Sequence, residues 1–237
     1  MCIGFARAGY TVFITGRNEK RLQQASAEIS AVGKAPVQFI QADVSLPEAC
    51  IEMIEKIRSK AKRFDVLVNN AAYFEKGDAL RFQIDRWQKM LDTNISGPYF
   101  CARAFAKEVI KLKTGGCIIN ISSIASTLSV HGYSAYSASK AALDNLTKSL
   151  ALEWAQYGIR VNGVAPGHTL TEGIRQAIKS DELNLGAIET STPLGRIAEP
   201  EEIAELVLFL ASEKAKYITG QTIRIDGGRS VDGSFHK

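Results

Sequence analysis

The strongest constraint on the fold is an alternation of short apolar, β-branched segments with longer segments of helical spacing. The first strand pattern, YTVFIT at residues 10–15, precedes a glycine-containing turn and a helical pattern over residues 19–32 that stops at Gly33. The residues after Met1 also have helical character. Further strands are predicted at residues 37–41, 64–68, 117–121, 159–164 and 221–225, and further helices at residues 47–61, 82–112, 134–157 and 200–211. This order predicts an α/β fold with a doubly wound parallel sheet flanked by helices, in a single domain over residues 1–237.

Length and composition fit that fold and exclude several classes of protein. The chain has 237 residues, of which 46% are hydrophobic, and this is enough to bury one sizeable core. The net charge of +4 comes from 29 basic and 25 acidic residues scattered along the chain, so no nucleic-acid partner is expected. No apolar stretch approaches the roughly 18 residues of a membrane span, and we expect a cytoplasmic protein with no membrane partner. The four cysteines show no metal-type spacing, and no metal is predicted.

In a doubly wound sheet, ligands bind outside the carboxyl ends of the strands. The first predicted strand ends at Gly16 and Arg17. At this position, dinucleotide-binding folds contact the adenosine ribose. An acidic side chain there binds a 2′-hydroxyl, and a basic side chain binds a 2′-phosphate. The planar fork of Arg17 therefore favours NADP(H), although an arginine in a turn can equally be a solvated surface residue. The next two strands end at Asp43-Val44 and at the turn 69–72. Small residues and amides at these positions allow a cofactor to approach the backbone closely, but such residues are also common in ordinary turns.

A tyrosine and a lysine at helical spacing follow the strand that ends in Ser122 and Ser123. Tyr136 and Lys140 are four residues apart at the start of a predicted helix, so they share one helix face. A nearby cation favours the phenolate and is expected to lower the tyrosine pKa from about 10. Most matches to this spacing in random sequence are an exposed tyrosine and lysine, but the position after a serine-ended strand favours a functional pair.

Seven ordered motifs resemble those of the short-chain dehydrogenase/reductase family and cover nearly the whole chain. They are NNAA at residues 69–72, LDTNISG around Asn94, NISS ending at Ser123, YSASK at 136–140, NGVAPG at 162–167, PLGRIAEPEEI at 193–203 and TGQTIRIDGG at 219–228. The family's quinone, sugar, steroid and 3-oxoacyl-carrier reductases share these motifs about equally. The resemblance implies a Rossmann-type fold and hydride transfer between a nicotinamide and a carbonyl or alcohol carbon.

The resemblance implies four catalytic residues. Tyr136 would donate or accept the proton, and Ser123 would hydrogen-bond the carbonyl oxygen and stabilise the charge that develops there. Lys140 would lower the tyrosine pKa and hold the nicotinamide ribose. Asn94 would kink its helix and hold a water that relays protons to the lysine.

The cofactor contacts implied by the resemblance lie at several strand ends. Asp43 and Val44 would flank the adenine, and Asn70 and Ala71 the adenine-ribose side. Arg17 gains support, because NADP-preferring members often carry a basic residue at its position. The other implied cofactor residues are Tyr136, Lys140, Pro166, Gly167, Thr169 and Thr171. The segment 172–192 resembles the substrate-covering lid of the family, and association as a homotetramer or homodimer through the two long helices containing Asn94 and Tyr136 is expected.

One departure from the family pattern concerns the start of the sequence. Family members begin with a strand and a glycine-rich TGxxxGxG turn, whereas residues 3–9 match only the later part of the helix that follows them. The strand would be central, between those containing Phe13 and Leu67, and the turn would supply the helix N-terminus that receives the pyrophosphate. We therefore expect that roughly 20 to 25 residues precede Met1 in the functional protein. The alternative is a natural short form that has rearranged or lost cofactor binding.

These observations favour an NADP(H)-dependent oxidoreductase that interconverts a carbonyl and a secondary alcohol of a small or lipid-like substrate. Two other functions stay open at this point. A cofactor-poor relative could act as a binding or regulatory protein, because the glycine-rich turn is absent from the sequence. The same catalytic residues could also serve a dehydratase or an epimerase.

Overall fold

The predicted alternation of strands and helices is present in the computed structural model, which describes residues 1–61 and 63–231. The strands are β1 (Phe13–Gly16), β2 (Gln38–Gln41), β3 (Val66–Asn69), β4 (Gly116–Ile121), β5 (Ile159–Pro166) and β6 (Thr222–Ile225). The helices are α1 (Cys2–Arg7), α2 (Glu19–Val32), α3 (Pro47–Lys60), α4 (Ile84–Leu91), α5 (Gly97–Leu112), α6 (Ser134–Trp154), α7 (Glu172–Lys179), α8 (Leu185–Thr190) and α9 (Pro200–Ala211). All strand pairs in the described residues are parallel, which confirms the predicted Rossmann-like fold class.

Helices cover both faces of the sheet, as the continuous apolar strands require. Ile118 of β4 packs into a core built with α3, α5 and α6, whereas its neighbour Ile119 packs into a second core built with α1 and α9. Both isoleucines are fully buried. The alternating direction of side chains along a strand therefore places successive apolar residues in two separate cores.

The strands form two sheets rather than one. Strands β3, β4, β5 and β6 are hydrogen-bonded in that order, and β1 pairs with β2 in a separate two-stranded sheet. The gap lies between β1 and β3, where the sequence comparison expects a further central strand. Within the described residues, no strand occupies that position.

The longest predicted helix is interrupted in the structure. The helix predicted over residues 82–112 is divided into α4 and α5 by a π-helical segment, Asp92–Ser96, because an extra residue is accommodated in the turn around Asn94. The segment 172–192, expected to be a lid, contains the short helices α7 and α8. Thr171 and Asn184 cap them through their side chains.

Candidate active site

Tyr136 and Lys140 lie in the first two turns of α6, beside the carboxyl end of β4. The ammonium of Lys140 is 5.7 Å from the centroid of the Tyr136 ring, so the two side chains lie on the same face of α6, as predicted. The Lys140 side chain is buried and donates a hydrogen bond of 2.8 Å to the Ile121 carbonyl oxygen. Ser123 accepts a hydrogen bond from the Ala125 amide, which fixes its hydroxyl at the start of a single 3₁₀ turn next to Tyr136.

The pKa of Tyr136 does not move in the direction expected from the sequence. Burial raises the pKa of the Tyr136 phenol above its usual value of 10, and the hydrogen bond with Ser123 only partly opposes this rise. The ammonium of Lys140 is bonded to the Ile121 carbonyl and is not aimed at the phenol oxygen. The expectation that Lys140 lowers the pKa of Tyr136 is therefore wrong for this arrangement, and the phenol is protonated at neutral pH.

Lys140 has a depressed pKa of its own. Burial lowers its pKa from 10.5 to about 8, against a smaller opposing effect of Asp144. Desolvation penalises the charged form, and one carbonyl does not replace the water that an ammonium loses. Near neutral pH the folded protein therefore holds Lys140 in a state that can gain or lose a proton.

This shift gives a measurable dependence of stability on pH. Between its folded pKa of about 8 and its unfolded pKa of 10.5, Lys140 binds more protons in the unfolded chain, so the free energy of unfolding rises with pH. We expect wild type to gain about 2 kcal/mol relative to Lys140→Met between pH 7 and pH 9.5. Urea unfolding of both proteins across that range measures the difference, and parallel pH curves would contradict the assignment.

Asn94 lies inside the π-helical segment and is fully buried. Its side-chain amide donates to the Tyr73 carbonyl oxygen at 2.9 Å and to the Ser139 hydroxyl at 3.0 Å, and its carbonyl accepts from the Tyr73 amide at 2.7 Å. The side chain thus ties the segment after β3 to α6. It makes no contact with Tyr136 or Lys140 among these bonds, which is the geometry of a positioning residue.

The motif comparison did not single out Phe74. Its ring packs edge-on against Tyr136 with centroids 5.1 Å apart and against Tyr133 at 5.0 Å, although 49% of Phe74 is exposed. Such edge-to-face contacts hold the phenol ring in place. The only sequence signal is that an aromatic pair, Tyr73-Phe74, directly follows the asparagine-rich turn.

The residues proposed for the adenosine half of a dinucleotide follow β1, β2 and β3. The guanidinium of Arg17 lies 3.9 Å from the Asp43 carboxylate, and 62% of the Arg17 side chain is exposed. Asp43 accepts hydrogen bonds from the amide and the hydroxyl of Ser45; although burial tends to raise its pKa, these bonds and Arg17 make the net shift a lowering. Asn70 and Ala71 are exposed after β3, and Val44 is half-buried.

The residues proposed for the nicotinamide half follow β5. Pro166 ends that strand, and the Gly167 amide donates to the Ile225 carbonyl oxygen at 3.0 Å. Thr169 forms an isolated parallel bridge with Ala198, and Thr171 caps α7. Arg17, Asp43 and Val44 therefore lie at the carboxyl end of the two-stranded sheet, whereas Asn70, Ala71 and the residues after β5 lie at that of the four-stranded sheet.

A buried chain of amides and hydroxyls connects β4 to its neighbours. Asn69 donates to the Asn120 side-chain oxygen at 2.8 Å, and Asn120 donates to the Thr147 hydroxyl at 2.9 Å. Thr147 in turn donates to the Leu143 carbonyl oxygen at 2.8 Å. These bonds join β3, β4 and α6 just below the site.

Comparisons with known proteins bear on the family of this chain. A family model described as enoyl-(acyl carrier protein) reductase matches residues 1–230. The 3-oxoacyl-(acyl-carrier-protein) reductase of Chlamydia pneumoniae is 36% identical over 224 residues, which cover 94% of this chain and 88% of that protein. A crystal structure of a short-chain type dehydrogenase/reductase from Mycobacterium marinum has a TM-score of 0.87 at 32% identity, covering 96% of this chain and 88% of that one. The chain belongs to the short-chain dehydrogenase/reductase family.

A second similar structure was solved with a bound cofactor. The gluconate 5-dehydrogenase from Burkholderia cenocepacia, in complex with NADP and tartrate, has a TM-score of 0.90 at 30% identity and covers 98% of this chain and 90% of that one. As a short-chain dehydrogenase/reductase, the present protein is an oxidoreductase that acts on CH–OH or carbonyl groups.

Two further observations concern metals and membranes. Within residues 1–61 and 63–231, no three His, Cys, Asp or Glu side chains are grouped as a metal site. No helix in this part of the chain is long and apolar enough to cross a lipid bilayer.

Proposed function

We propose that this protein is an NADP(H)-dependent oxidoreductase that interconverts a carbonyl and a secondary alcohol, with Tyr136 as the proton donor and acceptor. The observation that carries the proposal is the group formed by the half-buried Ser123 and Tyr136 and the buried Lys140 at the carboxyl end of β4. The phenol is protonated at neutral pH, so it is ready to act as an acid toward a carbonyl oxygen.

The residues present fit the 2′-phosphate of NADP(H). Arg17 has an exposed guanidinium whose five N–H donors suit a phosphate, and Gly16 before it offers no carboxylate to repel one. Asp43, Val44, Asn70 and Ala71 would hold the adenosine. Tyr136, Lys140, Pro166, Gly167, Thr169 and Thr171 would hold the nicotinamide half, and the bound cofactor would supply or take up the hydride.

The chain's own residues then perform the proton chemistry. In the direction of reduction, the Ser123 hydroxyl donates a hydrogen bond to the carbonyl oxygen and stabilises negative charge as it develops there. The Tyr136 O–H bond breaks as its proton passes to that oxygen, which leaves an alcohol and a phenolate. The phenolate then regains a proton from solvent, and Lys140, 5.7 Å from the centre of the ring and with a pKa of about 8, would take part in this exchange near neutrality. The alcohol oxidation reverses each transfer.

Turnover measurements test this reaction directly. The chain is incubated with NADPH and carbonyl substrates of the classes named for its relatives, a 3-oxoacyl thioester and a keto-acid of the gluconate class, and both NADPH loss and alcohol formation are quantified. One alcohol formed for each NADPH consumed supports the proposal. Product formed with no net NADPH loss would indicate a dehydratase or an epimerase, and the absence of both NADPH binding and turnover would favour a binding or regulatory protein.

Arg17 is proposed to select NADPH over NADH. Arg17→Ala is expected to raise the Kd for NADPH by about 10- to 100-fold, because charge-assisted bonds to a phosphate are lost, and to leave the Kd for NADH within about twofold. Fluorescence titration of the reduced nicotinamide measures both constants. Arg81→Ala, which removes an exposed arginine elsewhere on the surface, is the matched control. An unchanged NADPH preference in Arg17→Ala would contradict the assignment.

The proposal extends to a lid and to self-association. Residues 172–192, with α7 and α8, would cover the substrate and set its specificity. Association as a dimer or tetramer through the long helices near Asn94 and Tyr136 is supported by exposed apolar side chains there: Tyr99 on α5 is 39% exposed and Leu152 on α6 is 83% exposed.

A further inference from the structure

Two cysteine side chains meet in the larger core, between α3 and α5. Cys50 lies in the first turn of α3, and Cys101 lies in the second turn of α5. Their sulfur atoms are 3.5 Å apart, and the residues are 0% and 3% exposed. A single free cysteine in an apolar core commonly serves as a small hydrophobic residue. The direct contact between two sulfurs distinguishes this pair from such a residue.

The separation of the two sulfurs is close to that needed for a covalent bond. A disulfide has an S–S length of about 2.05 Å, so its formation requires an approach of about 1.5 Å. The two helices pack in one core, which keeps each thiol beside the other. Such proximity makes the reaction between them effectively unimolecular once one sulfur has been oxidised.

The two thiols differ in their hydrogen bonds. Cys101 donates to the Cys50 sulfur, and Cys50 donates to the Val44 carbonyl oxygen at 3.3 Å. The bond from Cys101 lowers the pKa of the Cys50 thiol, and the same bond, together with burial, raises the pKa of Cys101. Cys50 is therefore the more readily ionised of the two, and the thiolate is the form that reacts with oxidants.

Burial of both sulfurs means that an oxidant reaches them through local opening. Cys50 is near the start of α3, and helix ends open at a lower free energy than the centre of a core. A small opening admits hydrogen peroxide more easily than a bulky thiol reagent. The position of Cys50 thus makes it the first sulfur to be oxidised.

Cys117 provides a comparison within the same chain. It is 3% exposed, like Cys101, but its thiol donates to the Leu210 carbonyl oxygen rather than to a sulfur. Burial raises the pKa of Cys117 to about 11. Equal burial without a neighbouring thiol therefore gives a cysteine that is expected to stay reduced.

We propose that Cys50 and Cys101 are a modification site at which a peroxide forms a reversible disulfide between α3 and α5. The Cys50 sulfur attacks one oxygen of hydrogen peroxide, so that an S–O bond forms, the O–O bond breaks and water leaves with the thiol proton. The Cys101 sulfur then attacks the sulfur of this sulfenic acid. The S–S bond forms, the S–O bond breaks, and a second water leaves with the Cys101 proton. The two thiols lose two electrons, and the peroxide is reduced to two waters.

The disulfide also changes the support of Val44, and this second step rests on the proposed function. The Val44 carbonyl oxygen accepts from Cys50, and Val44 packs on the start of α5, where a Cβ added to Gly97 would lie 3.0 Å from its side chain. Oxidation removes the S–H donor of Cys50. Because Val44 is proposed to flank the adenine, we expect NADPH to bind less tightly to the oxidised protein.

Peptide mapping tests the disulfide itself. The folded full chain is treated with hydrogen peroxide, denatured, alkylated at its free thiols and digested with trypsin. We expect peptides 35–56 and 90–103, which contain Cys50 and Cys101, to appear joined and lighter by two hydrogens, and dithiothreitol to separate them. If both thiols stay free while Met1 is oxidised to its sulfoxide, or if either sulfur becomes a sulfinic acid without the link, the proposal is wrong.

Two alanine variants at equally buried cysteines provide the control. Cys117→Ala is expected to form the joined peptide as wild type does, whereas Cys101→Ala should form none. Circular dichroism confirms that both variants are folded. Loss of the Cys117 thiol in wild type at the same rate as those of Cys50 and Cys101 would indicate general oxidation of the core and would overturn the assignment to the pair.

A titration with NADPH separates this proposal from the proposed function. Peroxide treatment is expected to raise the Kd for NADPH by about two- to fivefold in wild type, as the loss of one weak hydrogen bond predicts, and dithiothreitol should restore it. Cys101→Ala should keep the same Kd after either treatment. A disulfide that forms without changing the Kd supports the modification site and contradicts its link to the adenine. Absence of NADPH binding in the reduced protein contradicts the proposed function, whereas the peptide map still decides on the disulfide.

Discussion

Tyr136→Phe is expected to lower kcat for carbonyl reduction by about 10²- to 10⁴-fold, which is the usual contribution of a positioned general acid. The substitution removes one oxygen and keeps the ring, so the edge-on contacts with Phe74 and Tyr133 persist and the fold should be unaffected. Steady-state kinetics with NADPH and a reducible carbonyl measure the loss. KM should change far less than kcat, because the proton is transferred in the transition state.

Tyr133→Phe is the matched control for this substitution. It removes a second phenol oxygen from the same aromatic group, whose pKa is also raised by burial, yet no proton transfer is assigned to it. We expect its kcat to stay within about threefold of wild type, far below the range given for a general acid. Equal losses in the two variants would show that the aromatic packing matters and not the Tyr136 proton, and wild-type turnover by Tyr136→Phe would overturn the proposed mechanism.

Asn120→Leu is expected to lower the free energy of unfolding by about 4 kcal/mol, a large part of the 5–15 kcal/mol typical of a domain. Asn120 is 1% exposed and bridges Asn69 and Thr147, so its loss leaves a buried amide and a buried hydroxyl each without one partner. Chemical denaturation measures the change. Asn145→Leu, at an exposed position of α6, should stay within about 0.5 kcal/mol of wild type.

A double variant checks that the effect comes from the hydrogen-bonded chain. Removal of the Thr147 hydroxyl by Thr147→Val should cost less in the Asn120→Leu background than in wild type, because the hydroxyl has already lost its donor. Additive losses would mean that Asn120 and Thr147 stabilise the protein independently.

The sequence predicted most accurately those elements with explicit terminal signals. Helix α2 begins and ends where predicted, since the Asn18 side chain accepts from the Arg21 amide at its start. Helix α9 also matches, with Pro200 in its first turn and reciprocal bonds between Glu199 and Glu202. Local chemistry decides such boundaries, and local chemistry is readable from one sequence.

Features decided by tertiary contacts were not predictable in the same way. The π-helical turn around Asn94 depends on that side chain's bonds with Tyr73 and Ser139, which are 21 and 45 residues away in sequence. The contact of Phe74 with Tyr136 joins the segment after β3 to helix α6. Burial reversed the expected direction of the Tyr136 pKa shift, and the extent of burial is a property of the folded chain rather than of the motif.

The predicted site residues do not all lie beside the same sheet. Ser123, Tyr136 and Lys140 are joined through α6 and the four-stranded sheet, and the motif spacing anticipated this grouping. Arg17 and Asp43 follow the strands of the two-stranded sheet. The spacing of the motifs did not predict that their side chains lie 3.9 Å apart. Their roles toward a cofactor stay predictions.

The division into two sheets has a consequence for cooperativity. Strands β1 and β2 pack with α1 and α2 around a small core of their own, made of Ala6, Ile14, Leu22, Ile29 and Val37. Opening of this unit would also disturb the larger core, because Ile40 and Ala42 pack there with residues of α3 and α5, and Phe13 packs against it. The two sheets are therefore coupled through shared apolar packing, with no backbone ladder between them in the described residues.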